Sequence, residues 1–150
     1  MPPERQLTDD LLAALNAHDV DRLGRLIAPA YHGADVSRRR ACVGSEQARH
    51  EMRAWLRAFP DLQVTALDVL VEAPRVLVCW TLHGTHRGAF LNVPPTGRRV
   101  AVEGFVLLTV EDGRIAEARH LWDLAGMLRA MRLLPELPRS IAGSSPSMPA

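Results

Sequence analysis

Apolar positions follow a helical period through roughly the first sixty residues and a strand period beyond them. In TDDLLAALNAHDVDRLGRLI, Leu11, Leu12 and Leu15 share a face behind a Thr8 or Asp9 cap. Leu23, Leu26 and Ile27 share another after a fresh start at Asp19 or Asp21. Two short helices ending at Pro29 are expected, then an irregular stretch with Tyr31 and the run Arg38-Arg39-Arg40. GSEQARHEMRAWLRAFPDL sets Met52, Trp55, Leu56 and Phe59 on one stripe between a Ser45 cap and Pro60, a third helix. Leu62 to Glu72, Arg75 to His86, Arg98 to Val110 and Ile115 to Trp122 are rich in β-branched residues and partly alternating, and Asp112-Gly113 marks a tight hairpin between the last two. Pro94-Pro95 and Gly97 form a rigid turn between the second and third strands. A closing helix runs from Asp123 to about Arg132.

Helices first and antiparallel strands afterwards predict an α+β domain over residues 1–134. A curved, mostly antiparallel sheet wraps the N-terminal helices around an apolar pocket. PELPRSIAGSSPSMPA, residues 135–150, reads as a disordered tail.

Composition narrows the chemistry more than the fold. With 150 residues, 47% apolar and 23% charged, the chain fits one domain; no apolar run approaches a bilayer span, and the N-terminus lacks the features of a secretory signal. A cytoplasmic location with no membrane partner is expected. Net charge is +1 and the basic residues are scattered, so nucleic acid is not an expected partner. Cys42 and Cys79 are expected to stay reduced, Cys79 as a small buried side chain. There is no lysine, which removes Schiff-base, pyridoxal-phosphate and P-loop chemistry. No histidine pair has ligand spacing, so no metal is expected. Acid, base and electrostatics remain, with no cofactor.

The hairpin turn suggests which side chains share a face. Counting outward from Glu111 opposite Arg114 sets Phe105 opposite His120 and Glu103 opposite Trp122, with Glu117 and Arg119 facing water. On that register Glu103 and His120 are diagonal neighbours on the interior face, a coupled acid and base able to remove a proton beside a carbonyl. The alternative is Glu103 paired with an arginine and His120 bonded to backbone in the core. Asp123 either joins this chemistry or caps the closing helix. Trp55, Phe105 and Trp122 are candidates to line a pocket for a flat apolar ligand, His86 is one of two strand histidines that can enter it, and Tyr31 near its mouth can donate to an oxyanion.

The chain resembles the SnoaL-like polyketide cyclases of the NTF2-like superfamily through LLAALNAHDVDRLGRLIAPAYH, HGTHRGAFLNVPPTGRRV and EDGRIAEARHLWDLAGMLRAM, a likeness over about residues 7–134. The resemblance implies a cone with a deep apolar cavity, a homodimer or higher homo-oligomer, and a small-molecule, aromatic polyketide-like substrate. It also implies cofactor-free aldol ring closure. The family's catalytic aspartate falls on His120, a second aspartate on Asp123, and an assisting histidine on Val106. Relatives also include hydroxylation components, epoxide-opening cyclases, isomerases and proteins that only bind.

Overall fold

A computed structural model describes residues 1–138. Helix α1 spans Pro3–Asn16 and α2 spans Val20–Arg25; then β1 (Ile27–Asp35), β2 (Arg40–Val43), α3 (Ser45–Ala58), β3 (Gln63–Glu72), β4 (Arg75–Thr85), β5 (Arg99–Glu111), β6 (Arg114–Trp122) and α4 (Leu124–Ala130) follow. The six strands form one sheet in the order β2-β1-β6-β5-β4-β3. All neighbours are antiparallel except β1 and β6, which run parallel. The α+β class is as expected, with two more strands than the four anticipated. The expected tail lies outside the described residues from 139 onward.

The helices begin differently from the pattern. α1 starts at Pro3, whose fixed φ suits a first helical turn, and Thr8 lies inside it with its hydroxyl donating to the Glu4 carbonyl at 2.8 Å. Asp19 caps α2, accepting from Arg22 N–H at 3.0 Å. The chain turns extended at Ile27, so Pro29 sits within β1 and ends no helix. Gly44, at φ 87°, is the residue before α3, and Ser45 is already helical.

Asp112 and Gly113 both adopt positive φ, 49° and 73°, as a two-residue hairpin turn requires. The ladder is not regular beyond it. Val110 pairs with Ile115 but Thr109 pairs with Glu117, so Ala116 is an extra residue, and every later pair shifts by one. His120 faces Val106 and Trp122 faces Gly104. Because side chains alternate across a sheet, this slip puts Val100, Val102, Val106 and Leu108 inside and Glu103 and Phe105 outside.

The buried residues of α1, α2 and α3 pack onto the concave sheet face. One cluster is centred on Leu23, Ile27, Met52, Val78, Val106 and Leu108, the other on Phe59, Leu62, Leu82, Val102, Trp122 and Met127. An apolar cavity remains between them. Cys79 is half-buried on the outer side of the sheet rather than in the core. No helix among the described residues is long and apolar enough to cross a membrane.

Candidate active site

The cavity has a volume of about 270 Å³, near the lower end of small-molecule pockets, which run from about 300 to 1,000 Å³. Its walls are almost wholly apolar, and all three tryptophans, Trp55, Trp80 and Trp122, line it. Polar groups concentrate at one end, where β1, the turn after it, α3 and the last residues of β6 converge.

Parallel pairing of β1 with β6 builds that end. Asp35 and His120 are register partners on adjacent strands, and both line the cavity. Asp35 accepts from Arg38 Nε at 2.6 Å and from Trp122 Nε1 at 3.0 and 3.1 Å, one contact to each carboxylate oxygen. Arg38 reaches Glu51 on α3 at 3.4 Å, and Arg40 holds the other Glu51 oxygen at 2.6 Å. The Arg38 guanidinium also lies 5.4 Å from the Trp55 ring centre and 5.8 Å from that of Phe90, within cation–π range. Ser37 fixes this turn, its hydroxyl donating to the Trp122 carbonyl and accepting from Trp122 N–H, both at 2.8 Å.

The electrostatics give the two partners opposite protonation. Burial would raise the Asp35 carboxyl, but hydrogen bonds from Arg38 and Trp122 and the charge of Arg38 outweigh it and hold the group below its ordinary value. Burial pushes the His120 imidazole below 6.5; Asp35 pulls it up in part and Arg38 pushes it down. At neutral pH the site therefore presents a carboxylate, a guanidinium and a neutral imidazole. That imidazole can accept a proton from a ligand in the cavity.

The structure brings Tyr31, Trp55, Trp122 and His120 together around the cavity and leaves out four other candidates. Glu103 is exposed on the opposite sheet face and Phe105 is 49% exposed there, because of the bulge at Ala116. The partner of His120 is Asp35. Asp123 is exposed and spends an oxygen on capping α4, accepting from Gly126 N–H at 2.8 Å. His86 points to the inner side but lies beyond the cavity. Gly84 leaves room for Phe59 to pack against β4, and His86 stacks behind that ring at 5.6 Å. There its Nδ1 accepts from Thr96 N–H at 3.2 Å and tethers the Pro94-Pro95 turn, while burial lowers its basicity.

Asp35, Arg38, Arg40 and Glu51 carry no motif that sequence reasoning can recognise, and the two arginines read there only as part of a basic run. The signal was the alternation Tyr31, Gly33, Asp35, which becomes legible once β1 is known to be a strand. Among the described residues no group of three or more His, Cys, Asp or Glu is placed to hold a metal ion.

A curved six-stranded sheet closed over N-terminal helices in this way is the ketosteroid isomerase-like, NTF2-like fold. The family model for SnoaL-like polyketide cyclase matches residues 5–131, and the chain belongs to that family. It is 28% identical to nogalonic acid methyl ester cyclase of Streptomyces nogalater, over 81% of this chain and 91% of that one. It is 25% identical to aklanonic acid methyl ester cyclase DauD of Streptomyces sp. (strain C5), over 87% and 83%. AclR, a candidate hydroxylase from Streptomyces galilaeus, superposes with a TM-score of 0.81 at 28% identity, covering 92% of this chain and 86% of that chain.

Proposed function

We propose that this protein closes a ring on an aromatic polyketide-like substrate by cofactor-free, aldol-type acid–base catalysis in the cytoplasm, with His120 as the base. The observation that supports it most is a neutral imidazole facing an apolar cavity beside a bound carboxylate and a guanidinium. His120 takes a proton from the carbon beside a substrate carbonyl. The carbanion attacks a second carbonyl, a carbon–carbon bond forms, and the new alkoxide takes the proton back from the imidazolium. Asp35 stabilises the transient imidazolium. Arg38, held between Asp35 and Glu51, directs positive charge at the developing oxyanion.

Where the family aspartate would stand there is a histidine, and at the assisting histidine's place there is Val106, its cross-strand partner. A histidine and a carboxylate still stand side by side here, with the histidine on β6 instead of β5 and the carboxylate on β1 instead of β6. Incubation with nogalonic or aklanonic acid methyl ester, followed by chromatography of the cyclised product, tests the reading. Cyclisation by the wild type and its loss in His120→Ala are expected; unchanged turnover by the variant would refute His120 as base. The likeness to AclR favours a second reading, hydroxylation, which oxygen consumption during turnover would reveal.

Homodimers are proposed to form through the outer sheet face, where Leu70, Phe105 and Leu121 are 60%, 49% and 57% exposed. Phe105 and Leu121 are cross-strand partners there. Sedimentation of wild type and Phe105→Glu tests this; a monomeric wild type would refute it.

A further inference from the structure

Tyr31 is only 6% exposed, yet its hydroxyl finds no hydrogen-bond partner among the described residues, and the side chain lines the cavity. The hydroxyl is not itself sealed off but opens onto the cavity, so a ligand oxygen can take the place of water as its acceptor. Its placement depends on Gly33, two residues along the same face of β1. A Cβ added at Gly33 would meet the Tyr31 hydroxyl oxygen at 2.5 Å and ring carbons at 2.9 Å, so the ring lies across the bare glycine. Gly33 is paired with Ala118 on β6, so the wall beside the hydroxyl carries almost no side chain. One strand repeat further along the same two strands comes the Asp35–His120 pair, roughly 7 Å from the Gly33 row. Burial pushes the Tyr31 phenol above its ordinary value, so it is a hydrogen-bond donor throughout the working pH range.

We propose that Tyr31 and Gly33 form a second recognition point, a fixed donor over a flat bare wall. It selects polycyclic ligands that carry a ketone or quinone oxygen on a fused ring neighbouring the one that reacts at His120. This rests on the reaction proposed above but concerns a different residue and a different measurement. The geometry assigns Tyr31 to specificity, since its hydroxyl sits a strand repeat away from the reacting end.

Fluorenone and fluorene, flat tricycles of like shape with and without a carbonyl oxygen, are suitable probes, and tryptophan quenching reports their entry because all three tryptophans line the cavity. Tyr31→Phe is expected to weaken fluorenone binding about fivefold to tenfold and to leave fluorene unchanged. Gly33→Ala, which crowds the ring out of place, should do the same. Equal effects on both probes, or unaltered fluorenone binding in Tyr31→Phe, would overturn the assignment, as would failure of either probe to enter the wild-type cavity. His120→Ala separates the two proposals: it is expected to lose turnover while keeping fluorenone affinity. Turnover retained by that variant would count against the reaction alone.

Discussion

The hairpin β5–β6 and the segment from β1 to β2 meet at the active end of the cavity, yet they are made in opposite ways. The hairpin is closed by two adjacent residues with positive φ, and its register is set locally. β1 instead pairs with β6, 85 to 88 residues further along the chain, through parallel hydrogen bonds with an irregularity between Ile27 and His32. The hairpin supplies His120. The distant segment supplies Asp35 and Arg38, whose charges act on the His120 imidazole, and Tyr31, which lines the same cavity. The proposed base is placed by local turn chemistry and its surroundings by topology.

Replacing His120 by alanine should have the largest effect, lowering kcat/KM by roughly 10²- to 10⁴-fold, the range for a general base, while the melting temperature stays close to wild type. A smaller loss would leave the distant segment as the main source of catalysis. Removing the Asp35 carboxylate comes next. In Asp35→Ala, half-buried Arg38 keeps only its longer contact to Glu51, and Trp122 Nε1 loses its acceptor, a cost on the order of 3–5 kcal/mol measurable by denaturant unfolding. Asp35→Asn retains an acceptor for the indole and should fold. It is expected to lose roughly tenfold in kcat/KM, because the imidazole loses the carboxylate that raises its basicity and stabilises its protonated form.

The pH dependence of stability sharpens the contrast further. His120 has a folded pKa depressed below 6.5, so between that value and 6.5 the unfolded chain binds the proton and the folded chain does not. Its contribution is therefore fully present above 6.5 and is lost as pH falls through this window. His86 adds in the same direction. Asp35, depressed as well, loses its contribution only at more acidic pH, as the carboxylate titrates. Melting temperatures should fall from pH 7 to 5, and less steeply in His120→Asn. The smallest effect belongs to Glu103→Gln, expected to stay within about twofold of wild-type kcat/KM because that side chain faces away from the cavity.

These differences follow what is legible in the residues. α3, the four long strands and the Asp112-Gly113 turn declare themselves through period and turn chemistry, and the inward orientation of His120 follows from its alternation with Glu117 and Arg119. The bulge does not. Ala116 is a small residue in an apolar strand, and nothing local distinguishes it from a regular position. Yet β5 held a corrective: Val100, Val102, Val106, Leu108 and Val110 alternate with Arg99, Glu103 and Glu111, and that pattern alone places Glu103 outside. β1 was hidden for another reason. IAPAYHGAD contains a proline and a glycine, both unfavourable in strands, and is tolerated because tertiary pairing with β6 overrides local preference. Asp35 could not be nominated before that pairing was known.

The most direct test of His120 as a base supported by Asp35 is the pH profile of kcat/KM, measured on a cyclisable methyl ester substrate for wild type and Asp35→Asn. The expected acidic limb lies below pH 6.5 in the wild type and moves further to acid in the variant, since Asp35 is the group that raises the imidazole. A limb that stays in place when the carboxylate is removed would contradict it.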